Sequence, residues 1–240
     1  MRRTLTKLVI VAALAALPVS VALSQVSGGT SGSGSGIFGV TYPKPTKAGL
    51  ALNTKFGTAT GTYTVADTVL GVNFTDTANE GTNLQGSLMA YPGSAFTYTV
   101  IFKVMPTCDI SISIGPAAAA TGASQVLTQH CSGSFSNGSI DVEDWTDTAG
   151  TFGSINGEIS TTGTPFIWLR YKDDGTNSVY FASGDGVNWR KIFSDPKSSG
   201  WLSLHGGYHF FGVILAYFRN NADATNPAGA IMVGQQMTTP

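Results

Sequence analysis

Between Asp109 and Ile114 the chain alternates strictly, Asp-Ile-Ser-Ile-Ser-Ile, which puts isoleucines on one face of an extended strand and hydroxyls on the other. Phe96 to Val104 carries the β-branched and aromatic residues that sheets favour, and Gly71 to Thr75 and Gly86 to Tyr91 share that character. The densest pattern runs from 165 to 193. Phe166-Ile-Trp-Leu-Arg-Tyr171 reads as a strand, Lys172 to Asn177 as a turn around Asp174-Gly175, and Ser178 to Ser183 as the return. Gly184-Asp-Gly186 turns again before a third strand over Val187 to Phe193. Asp-Gly supplies the positive φ of a tight hairpin turn, so this segment is a β-meander. His209 to Phe218 is a last long apolar strand, whereas Pro116 to Ala123, bracketed by glycine and proline, is expected to be a loop. Roughly a dozen short strands with no dependable helix predict an all-β fold, a two-sheet antiparallel β-sandwich. The strands show no fixed period, which argues against a propeller.

Composition agrees. Only 11% of residues are charged, against about 25% in ordinary soluble domains, and hydroxyls, amides and 30 glycines take up the polar role. With 13 basic and 14 acidic residues and no basic stripe, the chain is not a nucleic-acid binder. Three of the basic residues, Arg2, Arg3 and Lys7, precede an apolar run from Leu8 to Leu17. Pro18 and Ala22-Leu-Ser24 follow, the form of an export signal cleaved after Ser24. Uncleaved, residues 1–24 would instead be an apolar anchor, the chain's one route to a membrane. Residues 25–36, almost all Gly, Ser and Thr, are a flexible tether, leaving 37–240 as the folded domain. Outside the cell Cys108 and Cys131 would pair as a disulfide worth roughly 3 kcal/mol by loop entropy. A zinc finger is disfavoured, because only His130 adjoins the pair.

The meander also carries a resemblance. Pro165-Phe-Ile-Trp-Leu-Arg-Tyr, then Asp-Asp-Gly-Thr-Asn, then Ser183-Gly-Asp-Gly-Val-Asn-Trp189 resembles concanavalin A-like lectin/glucanase sandwiches, jelly rolls found in bacteriophage tail or virion proteins and in secreted bacterial proteins. Asn53 to Phe74 looks like their opening strands. The resemblance implies the fold, and a choice among lectin, hydrolase and structural module.

A glucanase of this fold would need a strand of the form Glu-x-Asp-x-Glu, whose alternation brings two carboxylates together as nucleophile and acid/base. The nearest segment is Ser139-Ile-Asp-Val-Glu143, followed by Asp144. Asp141 and Glu143 have the spacing, but Ser139 stands at the nucleophile position, so no catalytic set is expected. There is no Gly-x-Ser-x-Gly elbow, and His130, His205 and His209 read as surface or strand-end residues. Asp174 and Asp185 are the only calcium candidates, each more simply a turn residue; no other cofactor is expected. Trp168 and Arg170 share a face opposite Ile167, Leu169 and Tyr171. If the latter face is core, Trp168, Arg170, Tyr180 and Trp189 are candidates for stacking on a sugar ring and bonding its hydroxyls. The expectation is a non-enzymatic recognition module, exported or virion-associated. Its partners would be a glycan or cell-surface polysaccharide, or neighbouring subunits, including copies of itself. A glycan-active hydrolase or lyase using Asp141, Glu143 or Asp144 is the alternative.

Overall fold

The alternation at Ile112 and Ile114 resolves into two stacked sheets. A computed structural model describes residues 36–37, 40–57, 63–76, 84–104, 109–131, 138–148, 151–161, 166–219 and 228–240. Its elements begin with β1 (Gly36–Ile37), β2 (Val40–Thr41), β3 (Thr54–Phe56), β4 (Thr64–Asp67), β5 (Val72–Asp76) and β6 (Gln85–Ala90). Next come β7 (Phe96–Val104), β8 (Asp109–Ala117), β9 (Ser124–Cys131), β10 (Gly138–Trp145) and β11 (Phe152–Thr161). The chain continues through β12 (Phe166–Asp173), β13 (Asn177–Ser183), β14 (Arg190–Pro196), α1 (Trp201–Leu204), β15 (Phe210–Arg219) and β16 (Ala228–Thr238).

β1 and β2 form a small ribbon, and the rest form two antiparallel seven-stranded sheets. The first runs β11-β10-β9-β8-β15-β6-β3 and the second β14-β13-β12-β7-β16-β5-β4. The expected β-sandwich is therefore the observed fold. Its core lies between the sheets, where Ile112, Ile114, Leu127, Ile140, Val142 and Val213 of the first meet Val100, Phe102, Ile167, Leu169 and Met232 of the second. Phe211 is the hub, its ring centroid 5.2 Å from Phe96, 5.3 Å from Tyr98 and 4.9 Å from Tyr171. Such tilted and edge-on contacts add stabilisation beyond the area they bury.

The meander forms as expected from β12, β13 and β14, with Trp168 opposite Ser183 and Arg170 opposite Phe181. Its third strand begins at Arg190 rather than Val187, because the Asp185 turn holds the chain through Asn188. The loop expected from Pro116 starts at Ala118, since Pro116 and Ala117 pair with β15. Segment 1–24, most of the 25–36 tether, Cys108 and the Cys131 side chain lie outside the described residues, and with them the signal and disulfide expectations. Among the described residues no helix is long and apolar enough to cross a membrane.

Candidate functional site

Because Ile140 and Val142 face the core, Ser139, Asp141, Glu143 and Trp145 point to the outer face of the first sheet. β9 and β10 pair with Thr128 opposite Asp141 and His130 opposite Ser139. This register turns two ordinary-looking strands into a compact polar cluster. His130 Nε2 lies 3.2 Å from Asp141 Oδ1 and 3.3 Å from Glu143 Oε1. Its Nδ1 hydrogen-bonds with Ser111 Oγ at 2.8 Å. Thr128 Oγ1 donates to Glu143 Oε2 at 2.8 Å, Trp145 Nε1 donates to the same oxygen at 3.2 Å, and Ser113 Oγ meets Thr128 Oγ1 at 3.0 Å.

Asp141 and Glu143 are buried, whereas 24% of the His130 side chain remains accessible. Burial lowers the His130 pKa, but hydrogen bonds and charge from Asp141 and Glu143 outweigh it and raise the value to about 10. Burial pushes Asp141 above the usual carboxylate range; His130 opposes this and the Glu143 charge adds to it. The cluster is thus an imidazole held between two buried acidic side chains.

Beside it the sheet face turns apolar: Trp145 packs with Phe56, Leu84, Leu88, Val126 and Ile214. On the edge strand β11, Phe152 is opposite Trp145, Ile155 opposite Glu143, Glu158 opposite Asp141 and Ser160 opposite Ser139. A bulge at Gly157, where φ is +63°, keeps Ile155 and Glu158 on the same outer face. Phe152 is 45% and Ile155 52% exposed, and the Phe152 ring meets Trp145 edge-on at 5.3 Å.

The aromatic candidates on the second sheet are arranged differently from expectation. Trp168 does face away from the core, but it is fully buried against Tyr42, Ile101 and Val233, with Trp189 packed against the group. The expectation of an exposed Trp168 is corrected because two segments fold over this face. One carries Tyr42 and is pinned by the Gln235 amide on the Pro43 carbonyl. The other is the turn at Gly186, whose left-handed φ of +75° brings it so near the indole that a Cβ there would sit 2.7 Å from Trp168 Nε1. Arg170 is half-buried, donates Nε to Thr99 Oγ1 at 3.0 Å and lies 3.6 Å above the Trp189 ring. Burial lowers the Arg170 pKa, and a hydrogen bond with Tyr42 counters it.

Tyr180 needs a second correction. It points into the core rather than outward, because its neighbours Val179 and Phe181, not Tyr180 itself, share the face of Arg170. Its OH donates to Gln125 Oε1 at 2.8 Å. Gln125 Nε2 in turn donates to Asp144 Oδ1 at 2.9 Å and Asp195 Oδ2 at 3.0 Å. Ser154 Oγ and Asn156 Nδ2 complete Asp144, and the Trp201 amide completes Asp195. Asp144, a runner-up catalytic candidate, therefore belongs to this inner network, on the opposite side of the sheet from Asp141 and Glu143.

Asp174 and Asp185 close their own turns. Asp174 Oδ1 accepts from the amides of Thr176 and Asn177, and Asp185 Oδ1 from Ser183 Oγ and the amides of Val187 and Asn188. The Asn188 amide and side chain, then the Val187 amide, hold Asp185 well below the usual carboxylate range. Among the described residues the group of three metal-ligating side chains is His130, Asp141 and Glu143, and neither turn aspartate belongs to it. His205 stacks on Trp201 at 3.6 Å, and the His209 backbone bonds the Ala117 carbonyl.

No family model matches the chain, and no curated protein does either. Solved structures do. A carbohydrate-binding module, CBM66 from Bacillus subtilis, is 12% identical, covers 78% of this chain and 97% of its own, and superposes with a TM-score of 0.51. An engineered GH43 glycoside hydrolase with endo-xylanase and exo-arabinofuranosidase activity gives 15% identity, 74% coverage and a TM-score of 0.51, but the match spans only 36% of that chain. The exoplasmic/lumenal domain of VIP36, in a Ca2+/Man2-bound form, is 7% identical with 81% and 84% coverage and a TM-score of 0.45. At these identities the likeness is one of fold, the two-sheet antiparallel β-sandwich.

Proposed function

We propose that the domain is a non-enzymatic glycan-recognition module that reads sugars along the β11 edge of the outer face. One observation carries this reading. Phe152, 45% exposed and braced edge-on by Trp145, sits on the outer face of β11 in line with Ile155, Glu158 and Ser160. An aromatic or apolar platform flanked by carboxylate and hydroxyl groups suits the apolar face and hydroxyl rim of a pyranose. The fold shared with CBM66 supports the reading. Placement outside the cell or on a virion appendage belongs to the same proposal and rests on the N-terminal pattern and the likeness of the 165–193 meander.

The hydrolase alternative has one observation in its favour, the closeness of the Asp141 and Glu143 carboxylates, whose nearest oxygens lie within 4.8 Å of each other. Against it, both carboxylates are buried and bound to His130, and Ser139 stands where the motif needs its nucleophile carboxylate. Affinity electrophoresis against a panel of plant and bacterial polysaccharides tests the choice. Retardation by at least one polysaccharide, lost in Phe152→Ala and Glu158→Gln with melting nearly unchanged, is expected. Retardation by none, or binding that survives both substitutions, refutes the site. Reducing-sugar release that disappears in Glu143→Gln makes the protein a hydrolase instead.

A further inference from the structure

We propose that His130, Asp141 and Glu143 bind one divalent first-row transition metal ion, zinc being the model case, on the outer face of β9 and β10. Glycan binding is not needed for this, and its failure would leave the metal site untouched. The first argument is geometric. Nitrogen and oxygen ligands about 2.0–2.2 Å from a tetrahedral ion lie about 3.3 Å from one another. His130 Nε2 is 3.2 Å from Asp141 Oδ1 and 3.3 Å from Glu143 Oε1, matching two edges of such a ligand triangle, and the two carboxylates lie within 4.8 Å of each other.

The second argument concerns the atoms around the ligands. Metal-bound imidazoles are oriented through the other ring nitrogen, and ligating carboxylates through the other oxygen. Here Ser111 Oγ holds His130 Nδ1, leaving Nε2 for the ion. Thr128 Oγ1 and Trp145 Nε1 both donate to Glu143 Oε2, leaving Oε1 turned to Nε2, and Ser113 steadies Thr128. The ligands come from two paired strands and their supports from β8, β9 and β10, so the set is held by sheet register rather than by loops.

Ligand type adds a third argument. A nitrogen donor selects zinc, cobalt or nickel over calcium or magnesium, which prefer all-oxygen shells.

The full chain, without a histidine tag and dialysed against EDTA, is titrated with zinc by calorimetry, with calcium as control. Cobalt absorption serves as the coordination probe. One zinc equivalent, micromolar or tighter, a raised melting temperature and the intense visible bands of four-coordinate cobalt are expected. His130→Gln and Glu143→Gln should weaken zinc at least 100-fold, and Ser111→Ala about tenfold to 100-fold by releasing Nδ1. No zinc heat, several weak sites, calcium binding as well as zinc, or unchanged affinity in these variants overturns the proposal. Should His130→Gln fail to fold, Ser111→Ala and the wild-type cobalt spectrum decide it.

Discussion

Gln125 offers the sharpest test of the inner network, because Gln125→Glu keeps its shape and exchanges one donor for an acceptor. In the native protein the buried Nε2 donates at 2.9 Å to Asp144 and 3.0 Å to Asp195. Hydrogen bonds to charged groups contribute about 1.5–3 kcal/mol each, so losing both costs about 3–6 kcal/mol before any repulsion is counted. That is comparable with the whole stability of many domains. A new carboxylate facing two others is held in its protonated form, so its pKa rises above the unfolded value. The folded variant then binds a proton that its unfolded chain has released. Relative to wild type, its stability should therefore fall as pH rises from about 4.3 to the raised pKa and stay low beyond it. The Tyr180 bond to Oε1 survives, because a carboxylate accepts as well as an amide. Urea unfolding followed by tryptophan fluorescence at pH 5 and pH 8 measures the effect. At a slope of about 2.5 kcal/mol/M the midpoint at pH 8 should drop by roughly 1.5 M, with partial recovery at pH 5. Equal stability at pH 8, or a loss independent of pH, would refute the assignment of Gln125 as the donor between two buried carboxylates.

Two further expectations concern the outer surfaces. Trp168→Ala should cost about 3–5 kcal/mol in calorimetry, since the indole is fully buried beneath Tyr42 and Gly186, while Phe152→Ala should cost no more than about 1 kcal/mol; similar losses for the two would contradict the burial contrast. Gly157→Ala combines a φ of +63° with a Cβ 2.3 Å from the Ile192 carbonyl, so a loss of about 2–4 kcal/mol is expected in denaturant titrations, and a change under about 0.5 kcal/mol would count against the close approach of β11 and β14.

Local pattern disclosed what period and turn chemistry determine. Ile112 and Ile114 face the core as their alternation requires, and Asp174 and Asp185 close the turns that flank β13. The partition of β12 into an Ile167, Leu169 and Tyr171 face and a Trp168 and Arg170 face was equally legible. What covers the second face was not, because Tyr42 reaches Trp168 from more than a hundred residues away, and only tertiary packing brings them together. His130 was missed for a related reason. Its meeting with Asp141 depends on the β9–β10 register, and the Ser-rich sequence between those strands, 132–137, announces no single turn. Reading Cys131 as the partner of Gly138 would have placed the histidine diagonal to Asp141; alternation within each strand could not.

β10 holds a buried acid on each side of one sheet, Glu143 outward to Thr128 and Trp145, and Asp144 inward to Gln125, Ser154 and Asn156. A strand with one oily and one wet side can slide by two positions and lose little. Here any slide, odd or even, strands a carboxylate among groups that cannot receive it. The strand thus carries its own alignment check, and misthreaded forms should be discarded early, while the sandwich is still assembling.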